Sequence, residues 1–192
     1  MNFLYLLPGA FFAPVIHEFV KARVSAALGD PTPKKNGFIT WNPFKFFEPI
    51  GFFLMMFFQV GWGQPVTTSP FYYRDKRKGI ALTYITPIIV NLFVGVLVLT
   101  VISFINTSLP HVNAVAINFA RMNIGLALFN FVPIHPMAAN KLLHLVVSPE
   151  TSMRLNHYEK PLQILLFLLL VFGAIQMIIF PIREIIIRAV VF

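Results

Sequence analysis

The run VIHEFVKARV, Val15 to Val24, sets a histidine and a glutamate side by side after an apolar stretch. On a helix, residues four apart share a face. A zinc site built on His17 would therefore want a second histidine at position 21, with Glu18 as general base on the metal-bound water. Position 21 is Lys21. A protonated amine offers a metal no lone pair, and its charge repels a dication. Residue chemistry at this pair thus speaks against a metal. It leaves open why an apolar helix carries His17, Glu18, Lys21 and Arg23.

The chain around this run belongs in a bilayer. Of 192 residues, 57% are hydrophobic and 11% charged, with 22 phenylalanines, and the mean hydropathy is +0.76. A soluble domain keeps about a quarter of its residues charged. The net charge of +8 does not point to nucleic acid. Its basic residues (Lys34, Lys35, Lys45, and Arg74 to Lys78) sit between apolar spans, where they face headgroups, and no aromatic-basic groove is legible. With no cysteine, disulfides and thiolate metal sites are excluded.

Crossing a bilayer core of ~30 Å takes about 20 apolar residues as helix. The first candidate runs from Asn2 to Leu28, with Pro8 and Pro14 starting or kinking it. It lacks a basic n-region and a cleavage site, and reads as a retained helix, not a signal peptide. A loop follows in which GFITW, Gly37 to Trp41, predicts a short strand. PIGFFLMMFFQV, Pro49 to Val60, is short for a crossing, and its FFLMMFF core suits a lipid or partner surface. Further spans are expected at Gly79 to Ile105, His111 to Val132 and Pro161 to Phe180, with the tail to Phe192 extending the last helix or lying at the interface. The expected fold is an all-α polytopic membrane protein: about five membrane segments, a small β-containing insertion after the first motif helix, and a single domain over 1–192.

Three stretches carry a family resemblance: HEFVKARV…FKFFEPIG (His17 to Gly51), GWGQPVTTSPFYYRDKRKGIAL (Gly61 to Leu82) and LALFNFVPIHP (Leu126 to Pro136). In order and spacing they resemble the site-2 protease family of intramembrane zinc metalloproteases (peptidase M50-like), in its compact bacterial branch. The likeness covers roughly 10–145; the C-terminal membrane helix, 161–192, matches only as an apolar span. The resemblance implies zinc held by two histidines of HExxH and by an aspartate after an Asn-Pro-type motif. Here that motif reads FNFVPIHPMAAN, with Phe129, Asn130, Pro133 and Pro136 in place, but Ala138 stands at the aspartate position and Ala139 at the following glycine. Thr86-Pro87 matches the intermediate Gly-Pro-x-x-Asn signature loosely, and Asn91 comes one residue late. A catalytic zinc needs about three protein ligands, and the resemblance supplies only His17.

The expected reading is a degenerate member without an intact catalytic set, in which His17, Glu18, Lys21 and Ala138 are vestigial and no metal or other cofactor is held. Glu18 in a membrane helix needs a partner. Lys21, three residues on, is one candidate and Arg121, within a later span, another. Equally, Lys21 and Arg23 could snorkel to the headgroups. Asn130, Pro133 and His135 are candidates for a cleft that binds a membrane segment, the asparagine because the resemblance associates its position with substrate. The function expected is a pseudoprotease of the bacterial cytoplasmic membrane. Its partners would be the bilayer and a membrane protein or transmembrane segment. One alternative is an active zinc protease with substitute ligands His17, His135 and His144; another is a channel, transporter or complex subunit.

Overall fold

The computed structural model describes residues 3–105 and 108–191, and among these every regular element is helical. The expected limits at Asn2 and Phe192 lie outside the described residues. The elements are α1 (Leu7–Ala27), α2 (Thr32–Lys35), α3 (Pro49–Phe58), α4 (Lys76–Ile105), α5 (Pro110–Phe129), α6 (Ala138–Leu143), α7 (Pro149–His157), α8 (Glu159–Val171) and α9 (Ala174–Val191). Prolines stand in the first turns of α1, α3, α5 and α7, where a missing N–H breaks no helical bond.

Helices α1, α4 and α5 pack against one another as the core. Small residues let their backbones approach. A side chain at Gly9 would lie 2.8 Å from the Met122 sulfur and 3.0 Å from the Phe119 Cα. One at Gly95 would come within 2.6 Å of Ile124 and 3.0 Å of the Ala120 carbonyl. Close approach of this kind replaces the hydrophobic drive that lipid cannot supply. The polarity is turned inward accordingly: Asn91, Asn123 and Thr83 are fully buried, while Ile89, Phe93 and Phe104 on α4 are exposed toward lipid.

Three expectations need correction. Three helices are long and apolar enough to cross a membrane (Phe3–Ala27, Lys76–Ile105 and Pro110–Phe129), or four if α8 and α9 form one broken span, not five. The Pro49–Phe58 segment has 10 residues, or ~15 Å of helix, and lies along α1 with Leu54 and Met55 buried and Phe53 and Phe57 exposed. The C-terminal segment is not one helix either. It bends by 64° between α8 and α9, at Gly173, whose φ of +79° suits glycine.

The β-containing insertion is absent among the described residues. Gly37 to Trp41 forms turns and bends, because no second extended stretch pairs with it and its side chains are engaged elsewhere. Phe38 packs on Phe46, and Trp41 lies against Phe19 and beneath the Arg23 guanidinium. Between α3 and α4 the chain runs against the core as an irregular strip, residues 60–69, with Gly61, Gly63 and Val66 buried and Gln64, Pro65 and Thr67 exposed. Gly63 permits this: a side chain there would meet the carbonyls of Pro14 and Phe46 at 3.0 Å.

Candidate functional site

His17, Glu18 and Lys21 lie on the buried side of α1, each 6–7% exposed. Their spacing puts them on adjoining faces of one turn, where α4, α5 and the irregular strip meet the helix. The Lys21 ammonium donates to Glu18 Oε2 at 3.2 Å, and the Val66 backbone N–H donates to the same oxygen at 2.7 Å. Lys21 also lies 5.2 Å from the centroid of the Tyr84 ring. Glu18 is thereby held from two sides, and it anchors a stretch of backbone that has no helix or sheet to satisfy it.

His17 belongs to a second network. Its Nδ1 lies 3.2 Å from Asn91 Oδ1, and Asn91 Nδ2 donates to the Ala13 carbonyl and to Asn123 Oδ1, each at 2.9 Å. One asparagine thus ties α1, α4 and α5 together around the imidazole. Below this turn, Asp30 accepts from Ser25 Oγ, Thr32 N–H and Ser69 N–H at 2.7–2.9 Å. Tyr73 OH lies 2.8 Å from Ser25 and accepts from Thr83 at 3.1 Å. Burial raises the Asp30 pKa, but these hydrogen bonds outweigh it and hold the carboxyl below the ordinary carboxylate range.

Asn130 closes the turn that follows α5. Its side chain donates to the Leu126 carbonyl at 2.9 Å and accepts the Ala138 N–H at 3.2 Å. Ala138 itself is 2% exposed and packs with Ile88 and Ala127, an apolar setting with no oxygen to offer a cation. Pro133 is exposed on the turn and lines no cavity beside the site.

The remaining candidates lie apart. His135 Nδ1 meets Gln163 at 2.7 Å and Glu159 at 3.3 Å; burial holds its imidazole below the ordinary value against the opposing pull of Glu159. His144 pairs with Ser152 Oγ at 2.6 Å. Arg121 is partnered not by Glu18 but by Glu184 at 3.3 Å, and Arg183 approaches that same carboxylate at 3.3 Å. Among the described residues, no three histidine, aspartate or glutamate side chains come together as a metal would require. The donor set at His17 therefore does not fit a zinc ion: its i+4 neighbour is an ammonium bound to Glu18, and the third position is a buried methyl.

Two cavities adjoin the site. The inner one, about 20 Å³, is bounded by His17, Glu18, Gly63, Leu126, Asn130 and Met137, and at that size it admits about one water. The outer one, about 260 Å³, lies between Trp62 and Pro65 of the strip and His135, Gln163 and Phe167 near and on α8. Trp62, Pro65 and Pro136 border both. Sequence reading missed the strip's part in this site; its signal was the Gly-Pro-rich GWGQP, Gly61 to Pro65, which opens what reads as a polar loop.

No family model and no solved structure matches the chain. Its sequence is similar to a protein of Bacillus subtilis (strain 168) described as "Putative zinc metalloprotease YwhC", with 26% identity over 166 residues, covering 81% of this chain and 74% of that protein.

Proposed function

We propose, on the premise that this chain is a site-2 protease-like membrane protein, that it is a catalytically silent member which binds a transmembrane segment. The observation that carries this reading is the state of Glu18: one oxygen takes both the Lys21 ammonium and the Val66 N–H. That oxygen is the counter-ion of a fixed cation, and the cation stands where a metal-binding chain would offer a ligand. The site has been rebuilt as a structural ion pair that holds the strip against α1. The outer cavity, open between the strip and α8, is the place for the bound segment, which would lie in the bacterial cytoplasmic membrane beside the chain.

Metal analysis of the purified protein tests the silent reading. The expected result is no stoichiometric zinc, with uptake gained by the double variant Lys21→His, Ala138→Asp. Stoichiometric zinc that disappears on His17→Ala would overturn it. The description of the Bacillus relative as a zinc metalloprotease favours the second reading, an active protease with substitute ligands, and that same outcome would establish it. For the bound segment, a photo-crosslinker at Gln163 should capture a membrane protein, and one at Phe104, on the opposite end of α4, should not.

A further inference from the structure

A third cavity, about 280 Å³, is lined by Tyr84, whose ring also lies 5.2 Å from the Lys21 ammonium. Its polar wall comprises Thr68, Tyr84, Lys141, His144, Ser152 and Asn156, and Ile80 and Leu145 form an apolar side. No carboxylate lines it. Lys141 has no acidic partner within ion-pairing distance among the described residues. Thr68 and Tyr84 place their hydroxyls 3.3 Å apart, and His144 uses Nδ1 on Ser152, so Nε2 is left for a ligand.

The cavity's place in the fold identifies what reaches it. Ile80 and Tyr84 fall in the first turns of α4, roughly 6–12 Å along the helix from Lys76, and the run Arg74 to Lys78 marks that end as the headgroup level. A ring of hydroxyl, amide, imidazole and ammonium donors around a space larger than a carboxylate suits a tetrahedral oxyanion. The apolar side beside it suits the glycerol carbons attached to one.

We propose that this cavity is a binding site for a phosphate group, supplied by the headgroup of an anionic lipid, with Lys141 as its counter-ion. A soluble phosphate ester has the same chemistry but gains nothing from the Ile80–Leu145 side. The site is independent of whether Glu18 is catalytic. Tyr84 lines this cavity and also lies beside Lys21.

The test uses the full chain in mild detergent, titrated with short-chain phosphatidylglycerol, phosphatidylcholine or glycerol phosphate, and read by calorimetry and by lipid retention in native mass spectrometry. One phosphatidylglycerol per chain should bind, at least roughly tenfold more tightly than phosphatidylcholine. Lys141→Gln should weaken it by roughly tenfold or more, the scale of one charge-assisted hydrogen bond, and Lys141→Arg should restore it. Lys34→Gln should leave it unchanged. Glycerol phosphate that binds as tightly as the lipid, and competes with it, would support the phosphate site but move its source to solution. Equal binding of both lipids, an unaffected Lys141→Gln variant, or an equal loss in Lys34→Gln would overturn the proposal.

Discussion

Lys21 stands four residues after His17 and three after Glu18, so a single substitution changes both what a metal could find here and what the carboxylate is paired with. A buried ion pair is weak support for stability, since desolvation offsets most of its attraction, but removing one member strands the other. At 3.2 Å, with both side chains less than a tenth exposed, the pair is in that regime. Lys21→Met should therefore destabilise the protein by about 3–5 kcal/mol, the scale of breaking a buried pair. Adding Glu18→Gln should recover much of the loss, because the neutral amide still accepts from Val66. Unfolding in detergent of the two single variants and the double variant measures the coupling. Additive losses would mean that Glu18 and Lys21 act separately, which the shared hydrogen bond forbids.

Helix α1 ends against the segment that leads into α4, and Asp30 makes the joint by accepting from Ser25, Thr32 and Ser69. Its carboxyl is depressed below the ordinary range, so the unfolded chain takes up this proton before the folded one does. The stabilisation is complete above the ordinary aspartate value of about 3.9 and is lost as pH falls through the folded value. Asp30→Asn should lower the unfolding free energy at neutral pH by about 1–3 kcal/mol, the scale of hydrogen bonds to a buried charge, and the thermal midpoint with it. The gap to wild type should narrow as the pH is lowered past 4, as a rough mark; a gap constant with pH would refute the assignment. Joints of this kind were not legible in the sequence, whereas the helices they connect were. Runs such as Gly79 to Ile105 declare a span because only a helix satisfies its backbone in lipid. GFITW carries strand-forming residues, but whether a strand forms depends on a neighbour to pair with, and residues 60–69 run past Glu18 instead. Likewise HEFVK and Ala138 reveal the missing ligands, and HEFVK offers Lys21 to Glu18, while the Val66 N–H on Glu18 and the Glu184 partner of Arg121 lie 48 and 63 residues away, where no local pattern announces them.

The lysines and arginines of the loops in the first half of the chain gather at one end. Tyr73 against Ser25 and Asp30 against Ser69 place the close of α1 beside the start of α4, so Lys34, Lys35 and Arg74 to Lys78 share a face, with Lys141 at the cavity that Ile80 lines. At the opposite end Tyr5 meets His111, and the four residues between α4 and α5 in the sequence, Asn-Thr-Ser-Leu, carry no charge. In the sequence, basic residues stand on both sides of Pro49–Phe58, so the positive-inside rule by itself sets no orientation. The fold removes that ambiguity, because α3 is a half-length helix whose flanking loops both return toward the basic end. Short loops rich in lysine and arginine stay on the cytoplasmic side, which predicts that the α2 region and the start of α4 face the cytoplasm and the α4–α5 link faces outward. The chain has no cysteine, so single cysteines report without background. In intact cells, Ser108→Cys should react with a membrane-impermeant maleimide, and Lys35→Cys should react only after permeabilisation. The reverse pattern would put the Glu18–Lys21 pair and the Lys141 cavity nearer the outer face, and would deprive Lys141 of the anionic leaflet on which its proposed ligand depends.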